Sequence, residues 1–270
     1  MIRIRSCRGF DEFEACVQMQ IETWGYDQTD VIPRKAFLVA QKIGGQILGA
    51  FDTDLPGAGP GIAGEEGGPE SMVGFAMSLP GVKTGPDGPE PYLHSHMLAV
   101  REGYRNRGLG AQLKLEQRRE ALSRGIRRME WTFDPLEIRN AYLNIHKLGA
   151  ISRCYLIDFY GVSSSRLQGG LPTDRLVAEW QLDSERVTAP LEGRPRPAYR
   201  IEERIPVPAA IYAWKATDET RERALALQAE NRERLQKAFA RGLAVVDYTR
   251  DAEGNGCFEL GTLTQAEMPQ

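Results

Sequence analysis

Residues 92–111, YLHSHMLAVREGYRNRGLGA, join a short apolar run to a turn that is rich in arginine and glycine. The run at 92–100 suits a buried strand better than an exposed one because apolar residues dominate it. In the turn, Gly108 and Gly110 permit tight backbone angles and the close approach of a ligand. The helix that begins there presents free N–H groups. The stretch therefore predicts an anion-binding cradle between a strand and a helix.

Positive charge is concentrated in and after this turn. Residues 101–128 contain nine Lys or Arg and three Glu, in a chain whose formal net charge is -3. The helix after the turn is predicted from the apolar spacing of Ala111, Leu115 and Leu122, with Gly125 as its stop. The local surplus of cations therefore lies where a phosphate group would bind.

The order strand, Arg-x-x-Gly-x-Gly/Ala and helix resembles the acyl-CoA-binding motif of the GNAT N-acyltransferase superfamily. The resemblance implies that backbone groups of Leu98 and Val100 hold the pantetheine arm and polarise the thioester carbonyl. It also implies that the N–H groups of residues 105–111, called the cradle below, hold the pyrophosphate of CoA with help from arginine charge. The residues of the cradle are Arg105, Asn106, Arg107, Gly108, Leu109, Gly110 and Ala111.

The predicted elements follow the order of a layered α/β domain. Strands are predicted at 2–5, 46–51, 72–79, 92–100, 128–133, 151–159 and 175–182, and helices at 10–24, 33–42, 109–124 and 137–148. Together with the resemblance, this order predicts a GNAT-like mixed, largely antiparallel central sheet flanked by helices. Two segments rich in Gly and Pro, 53–70 and 80–91, are predicted as loops, which we interpret as gates for the acceptor.

A stretch containing Pro and Gly at 189–195 predicts a domain boundary. Residues 1–189 are interpreted as the GNAT-like acyl-CoA-binding domain. Residues 190–270, called the extension below, are predicted to form a small α/β addition with a strand, a long helix at 218–241 and a hairpin. We interpret the extension as a packing or oligomer surface, which leaves a homodimer open.

Composition narrows the class of protein. With 270 residues, 41% hydrophobic and 26% charged, the chain has the composition of a globular protein, and its pI near 5.8 argues against nucleic acid as a partner. No signal peptide is evident and no run approaches the ~18 apolar residues of a membrane span, so we expect no membrane anchor. The four cysteines, at 7, 16, 154 and 257, lack metal-ligand spacing. We therefore expect no metal site, buried thiols and a reducing, cytoplasmic setting.

Catalysis by direct acyl transfer requires the acceptor amine to lose a proton, a task suited to histidine. His94 and His96 are two residues apart on one predicted strand, so their side chains should emerge on one face. In many GNAT enzymes the position of His96, four before the terminal valine of the strand, carries an acidic residue that accepts this proton. The order His-x-His-x-Leu-Ala-Val is also similar to that of the arylalkylamine N-acetyltransferases, in which paired histidines relay protons. The resemblance implies His96 as general base with His94 assisting, while a purely structural role inside the sheet stays open.

The helix expected to supply a general acid departs from the Leu-Tyr-x-Lys-x-Gly-Phe pattern of the superfamily. Lys147 and Gly149 match, but Ile145 takes the place of the tyrosine and cannot donate a proton. Either Tyr142, one turn earlier on roughly the same helix face, replaces it, or the thiolate leaves without an acid. Tyr155 in the next predicted strand is a weaker candidate.

Asn140 and Asn144 precede and follow Tyr142 on this helix. Their amides are suited to hydrogen bonds with the amide groups of pantetheine, although exposure to solvent is an equal alternative. Their neighbours Arg139, His146 and Lys147 are expected to be solvated.

The resemblance implies a cytoplasmic acyl-CoA-dependent N-acyltransferase. Acetyl-CoA is the default donor, another acyl-CoA is the alternative, and the acceptor is expected to be a primary amine on a small molecule, attacked directly in a ternary complex. Ile145 and the lack of an acidic residue in the strand suggest instead a non-catalytic CoA- or acyl-CoA-binding module. A transferase of succinyl or another acyl group to an amino acid also stays open. A dinucleotide-binding domain fits less well, because it needs its glycine-rich loop after the first strand and here the loop follows a fourth.

Overall fold

The structure is a computed structural model that describes residues 1–55, 67–85 and 88–263. The chain divides into two compact units. Unit 1 comprises Met1–Lys83, Glu90–Arg127 and Ser164–Arg166, and unit 2 comprises Thr84–Pro89, Arg128–Ser163 and Leu167–Gln270. The predicted boundary between residues 189 and 190 falls inside unit 2 and stays a prediction. Most of the loop predicted at 53–70 lies outside the described residues.

Unit 1 contains the first four strands and first three helices. Its strand order is β1-β2-β3-β4, and β2 pairs antiparallel with both β1 and β3. The glycine after the first helix, Gly25, adopts a left-handed φ of 68° and ends it. The elements are β1 (Ile2–Ser6), α1 (Gly9–Trp24), α2 (Arg34–Lys42), β2 (Gln46–Asp52), β3 (Met72–Gly85), β4 (Gly88–Val100) and α3 (Leu109–Ser123), with short 3-10 turns at Pro69–Ser71 and Glu102–Tyr104.

The sheet of unit 1 has a buried cluster on each face. On one face, α1 and α2 contribute Phe13 and Phe37, whose rings stack at 6.3 Å, and Phe37 meets Phe75 of β3 edge-on at 6.0 Å. On the other face, α3 buries Leu109 and Leu113 against β2 and β3. Burial of several large apolar side chains on both faces, at about 1.5–3 kcal/mol each, holds α3 and the cradle before it against the sheet.

The prediction of a loop at 80–91 is wrong, because β3 continues to Gly85 and β4 begins at Gly88. Exposure along 79–85 alternates residue by residue, as it does in a strand. Gly81, which lies in this Gly- and Pro-rich segment, has a packing role, since a Cβ on Gly81 would lie 2.5 Å from the ring of Tyr92. Gly81 therefore makes room for an aromatic ring rather than ending the strand.

Unit 2 contains the remaining elements in two antiparallel groups, ordered β5-β7-β6 and β8-β10-β9. A helix, α5, forms where the sequence predicted the start of a linker. The elements are β5 (Arg128–Phe133), α4 (Ile138–Ala141), β6 (Tyr155–Leu156), β7 (Arg175–Gln181), α5 (Glu185–Leu191), β8 (Ile201–Val207), α6 (Ile211–Ala216), α7 (Asp218–Ala240), β9 (Ala244–Arg250) and β10 (Gly256–Gly261). The antiparallel strands and flanking helices confirm the predicted α/β fold class.

The strand predicted at 151–159 is shorter than expected. Tyr155–Leu156 alone forms a strand, while Ile151 makes an isolated bridge to β7. Asp158 interrupts the extended backbone with a φ of 45°, and its carboxylate accepts a hydrogen bond from the Thr173 N–H at 2.9 Å. The side-chain hydrogen bond stabilises a turn that competes with the strand.

The helix predicted at 137–148 begins as α4 and then widens into a π-helical turn at Tyr142–Lys147, called the π-turn below. Within it the Leu148 N–H donates to the carbonyl of Leu143, five residues back. Gly149 then adopts a φ of 80° and ends the helix. Single π-turns inside helices are frequent at functional sites.

A buried carboxylate connects two parts of unit 2 that are distant in sequence. Asp174, fully buried before β7, accepts hydrogen bonds from the Tyr155 hydroxyl at 2.6 Å and from Arg232 Nε of α7 at 2.8 Å. Breaking a buried pair of this kind costs about 3–5 kcal/mol. The long helix of the extension is therefore held firmly against β6 and β7.

Two further expectations concern thiols and membranes. Cys7 and Cys16 are buried as expected, whereas Cys154 is exposed because it lies outside the shortened strand. Within residues 1–55, 67–85 and 88–263, no helix is long and apolar enough to cross a membrane.

Candidate functional site

Strand β4 changes the direction of its side chains between Ser95 and Met97. Ser95 Oγ is 3.0 Å from Gln117 Oε1 and 2.8 Å from Lys114 Nζ, both on α3. Met97, two residues on, belongs to the cluster of α1 and α2 on the opposite face. Strict alternation would place both residues on one face, so the strand has an irregularity of the kind a β-bulge produces.

The histidine pair flanks Ser95 in this irregular part of β4. The rings of His94 and His96 are 6.1 Å apart and both are half-buried, so the structure brings the predicted pair together. Burial lowers the pKa of the His96 imidazole. At neutral pH His96 is therefore uncharged and able to accept a proton.

The end of β4 leads directly into the cradle. Leu98 and Val100 are half-buried and pack against the α3 cluster, and the Arg101 N–H donates to the Val73 carbonyl at 2.9 Å. Arg105 Nε donates to the Val100 carbonyl at 2.9 Å. The Arg105 guanidinium thus stabilises the turn through Nε. Its positive charge is still exposed beside the cradle.

The cradle itself has an open, left-handed backbone. Asn106 has a φ of 61° and Gly108 a φ of 82°, and Gly108 is the residue before α3. No side chain caps the first turn of α3, and a Cβ placed on Gly108 would meet nothing within 4 Å. Arg105 and Arg107 are exposed beside it. Unpaired N–H groups at an open helix N-terminus, flanked by two cations, fit the pyrophosphate of CoA.

A tyrosine holds the turn before the cradle, which the sequence did not predict. The Tyr104 hydroxyl donates to Asp52 Oδ2 of β2 at 2.7 Å, and the guanidinium of Arg107 lies 5.8 Å from the Tyr104 ring. This hydrogen bond is the largest cause of the lowered pKa of the Asp52 carboxyl. The turn at Glu102–Tyr104 is therefore anchored to the sheet at one side of the cradle.

Asn140 and Asn144, on the helix that was expected to supply a general acid, lie in unit 2 and hydrogen-bond to each other. Asn140 is exposed and Asn144 is buried, with Asn144 Nδ2 donating to Asn140 Oδ1 at 3.2 Å. Ile145, which occupies the tyrosine position of the superfamily pattern, is fully buried. Asn140 is thus the amide of the pair that is open to a ligand.

Tyr142 is half-buried, and its ring lies close to an imidazole and two cationic side chains of unit 2. Its ring stacks on His146 at a centroid distance of 4.6 Å and an angle of 21°. The cations of Arg250 and Lys147 lie 5.7 Å and 5.9 Å from the same ring. The side chain of His146, expected to be solvated, is 40% exposed and also places Nδ1 2.9 Å from Asp247 Oδ1.

Tyr155 is unsuited to donate a proton. Its hydroxyl already donates to buried Asp174, and burial together with this hydrogen bond raises the pKa of Tyr155 far above its usual range. Tyr155 therefore has a structural role, and Tyr142 is the better candidate of the two.

The extension supplies contacts to the π-turn that the sequence did not predict. Arg196 donates to the carbonyls of His146 and Lys147, the second at 2.9 Å, and Asp247 contacts His146 across 101 residues of sequence. No local pattern links positions so far apart, so no sequence signal could have found them. In the part of the chain that is described, no three His, Cys, Asp or Glu side chains form a group able to hold a metal ion.

Comparisons with known proteins give one family match and several similar folds. Residues 23–149 match the family model described as "Acetyltransferase (GNAT) family". The fold resembles Arabidopsis thaliana NAA60 in complex with acetyl-CoA, with a TM-score of 0.53, 15% identity, and coverage of 68% of this chain and 100% of that one. It also resembles the ribosomal-protein-S18-alanine N-acetyltransferase from Escherichia coli, with a TM-score of 0.48, 15% identity, and coverage of 68% and 96%. A search of curated proteins gives no significant match. At these identities the likeness to NAA60 is one of fold.

Proposed function

Residues 23–149 belong to the acetyltransferase (GNAT) family, and on this premise we propose that the protein transfers an acyl group from an acyl-CoA to a primary amine. Acetyl-CoA is the default donor, and the acceptor is a small molecule that attacks the thioester directly in a ternary complex. The observation that supports the proposal most strongly is the cradle. Its uncapped helix N-terminus and open glycine follow a strand that carries two histidines with rings 6.1 Å apart.

The proposed chemistry needs one base and benefits from one acid. His96, kept neutral by burial, takes a proton from the ammonium of the acceptor, and His94 assists in passing it to solvent. The amine nitrogen then forms a bond to the thioester carbonyl carbon, the carbon–sulfur bond breaks, and the sulfur departs with the bonding electrons. Tyr142 returns a proton to that thiolate, and the second proton, which the nitrogen loses as the amide forms, restores the tyrosine hydroxyl. The products are an amide and free CoA.

The remaining residues hold the donor. Backbone groups of Leu98 and Val100 are assigned to the pantetheine arm, with the exposed amide of Asn140 as a further partner and buried Asn144 bonded behind it. The pyrophosphate is assigned to the cradle, where backbone N–H groups and two arginines provide charge-assisted hydrogen bonds. The cradle residues with this role are Arg105, Asn106, Arg107, Gly108, Leu109, Gly110 and Ala111.

The chief alternative is a CoA- or acyl-CoA-binding module without transfer. The buried Ile145 favours it, because this residue supplies no proton where the superfamily pattern has a tyrosine. A donor other than acetyl-CoA, such as succinyl-CoA with an amino acid acceptor, would need a further cation near the thioester.

The setting and partners complete the proposal. We assign a cytoplasmic location, a reducing setting that suits four cysteines without the spacing of a disulfide framework or a metal site. The proposal includes neither a nucleic-acid nor a membrane partner, and a homodimer formed through the extension remains an expectation.

Replacement of the base tests the proposal. We expect His96→Ala to lower the steady-state release of CoA thiol by about 10²–10⁴-fold, the usual contribution of a general base, with acetyl-CoA and a panel of primary amines. CoA affinity, measured by calorimetry, should stay within twofold, and His94→Ala should cost less activity. Tight CoA binding without thiol release from any acyl-CoA and amine would favour the module. Undiminished turnover in His96→Ala would remove His96 from the mechanism.

A further inference from the structure

The π-turn that carries Tyr142 is held by a carboxylate from the extension. Asp247 Oδ1, on β9, lies 2.9 Å from His146 Nδ1 and also accepts the N–H of Tyr248 at 2.8 Å. The second hydrogen bond fixes the carboxylate relative to its own strand. Asp247 therefore presents a well-placed acceptor to the imidazole.

The carboxylate in turn determines the state of the imidazole. An ionised carboxylate can only accept hydrogen bonds, so Nδ1 of His146 must carry the proton. The imidazole plane is then constrained by this bond on one edge and by the nearly parallel Tyr142 ring at 4.6 Å on its face. Aromatic pairs at this distance have a preferred geometry, so the orientation of one ring restricts the other.

A second residue of the extension holds the end of the same turn. The guanidinium of Arg196 donates to the carbonyls of His146 and Lys147, which the helix leaves without internal partners. A cation at a helix C-terminus is also favoured by the helix dipole. Arg196 and Asp247 both lie outside the family match at 23–149, so this support is an addition to the family domain.

We infer that Asp247 is a positioning residue for proton return by Tyr142, acting through the stacked ring of His146. The inference rests on the proposed function, in which Tyr142 protonates the departing thiolate. Without the Nδ1 bond, the His146 ring can rotate and the Tyr142 hydroxyl loses its fixed direction. Misplacement of a reacting group by about 1 Å can cost up to 10²-fold in rate. The extension thus contributes to catalysis without touching substrate.

Three variants and a double mutant test the inference. Asp247→Asn keeps the shape of the side chain but loses its charge, and Tyr142→Phe keeps the stacked ring but loses the hydroxyl. Glu203→Gln, which removes the carboxylate that pairs with Arg241 elsewhere in the extension, is the matched control. Asp247→Asn should lower kcat about tenfold or more, with the KM for acetyl-CoA within twofold, and Glu203→Gln should change neither.

The double mutant separates positioning from a general loss of structure. Because Asp247 acts through Tyr142, Asp247→Asn combined with Tyr142→Phe should have the kcat of Tyr142→Phe alone. Imidazole ¹⁵N chemical shifts, which report the tautomer directly, should show Nδ1–H at His146 in the wild type and a mixture in Asp247→Asn. A structural role alone would give additive losses in kcat, and an unchanged tautomer in Asp247→Asn would overturn the action assigned to Asp247 on the imidazole.

The outcomes distinguish this inference from the proposed function. Wild-type protein that binds CoA but transfers nothing overturns both. Wild-type transfer that is undiminished by Tyr142→Phe or by Asp247→Asn overturns the inference and leaves the proposed function standing. If Asp247→Asn fails to fold, His146→Ala removes the stacked ring instead and should lower kcat to the level of Tyr142→Phe.

Discussion

At the scale of single residues, His96 is the side chain whose burial best suits its proposed role as a general base. The side chain is half-buried beside His94, and burial disfavours its charged form. A base must be unprotonated before it can act, so a lowered pKa keeps His96 competent further into the acid range.

This environment predicts the pH dependence of turnover. Because the pKa of His96 lies below its ordinary value of 6.5, activity should be lost only as the pH falls through that lower value. The acid limb of kcat/KM, which reports the free enzyme, should therefore have its midpoint below 6.5. The measurement is a kcat/KM profile from about pH 5 to pH 8, the range over which histidine titrates. A midpoint at or above 6.5, or the same limb in His96→Gln, would assign the base elsewhere.

The histidine pair could be predicted because its two members are two residues apart in one strand. The roles of Arg196 and Asp247 could not be predicted, because these residues contact the π-turn from about 50 and 100 positions later in the sequence. Tyr104 was missed for the same reason, since its partner Asp52 lies 52 residues earlier. Short-range patterns indicate which residue types bear chemistry, whereas the partners that fix them depend on tertiary structure.

At the scale of elements, α3 offers a matched comparison between its two ends. Gly108 precedes the helix with a φ of 82°, Gly125 follows it with a φ of 76°, and a Cβ on either would meet nothing within 4 Å. Alanine at either position should cost about 1–2 kcal/mol of stability, because L-residues disfavour left-handed backbone. The two variants therefore differ only in their place relative to the cradle.

We predict that Gly108→Ala weakens CoA binding and that Gly125→Ala does not. Gly108 is the residue before α3, so we expect an added methyl group there to hinder the approach of an anion to the free N–H groups of the first turn. Loss of one charge-assisted hydrogen bond, about 1.5–3 kcal/mol, corresponds to roughly tenfold or more in Kd. Calorimetric titration with CoA and thermal unfolding would be measured on both variants. Equal CoA affinities would mean that the pyrophosphate is not bound at the cradle.

Most elements could be predicted because their apolar spacing, caps and glycine stops are local. The predicted strand bounds were wrong where a contact with a residue distant in sequence decided the backbone conformation. Gly81, in a segment predicted as a loop, accommodates the Tyr92 ring, and Asp158 ended a strand through its hydrogen bond to Thr173. The π-turn has no recognised sequence signature, so the change in helix type at Tyr142 was not predictable.

At the scale of the whole molecule, the extension is more than a surface addition to the family domain. Unit 2 includes residues on both sides of the predicted boundary, and the buried Asp174 accepts a hydrogen bond from Arg232 of α7. The extension also contacts the π-turn through two residues. These contacts explain why a sequence boundary at Pro and Gly residues does not by itself indicate independent folding.

If this chain moves an acyl group from CoA to an amine, the acetyl group that leaves the donor must appear in an amide. A mass balance with wild-type protein, acetyl-CoA labelled with ¹³C in the acetyl group, and a panel of primary amines measures this transfer. We expect one labelled N-acetyl product for each CoA thiol released, with at least one amine of the panel. Thiol released together with labelled acetate instead of amide, or no thiol from any acyl-CoA and amine despite CoA binding, would overturn the assignment of acyl transfer.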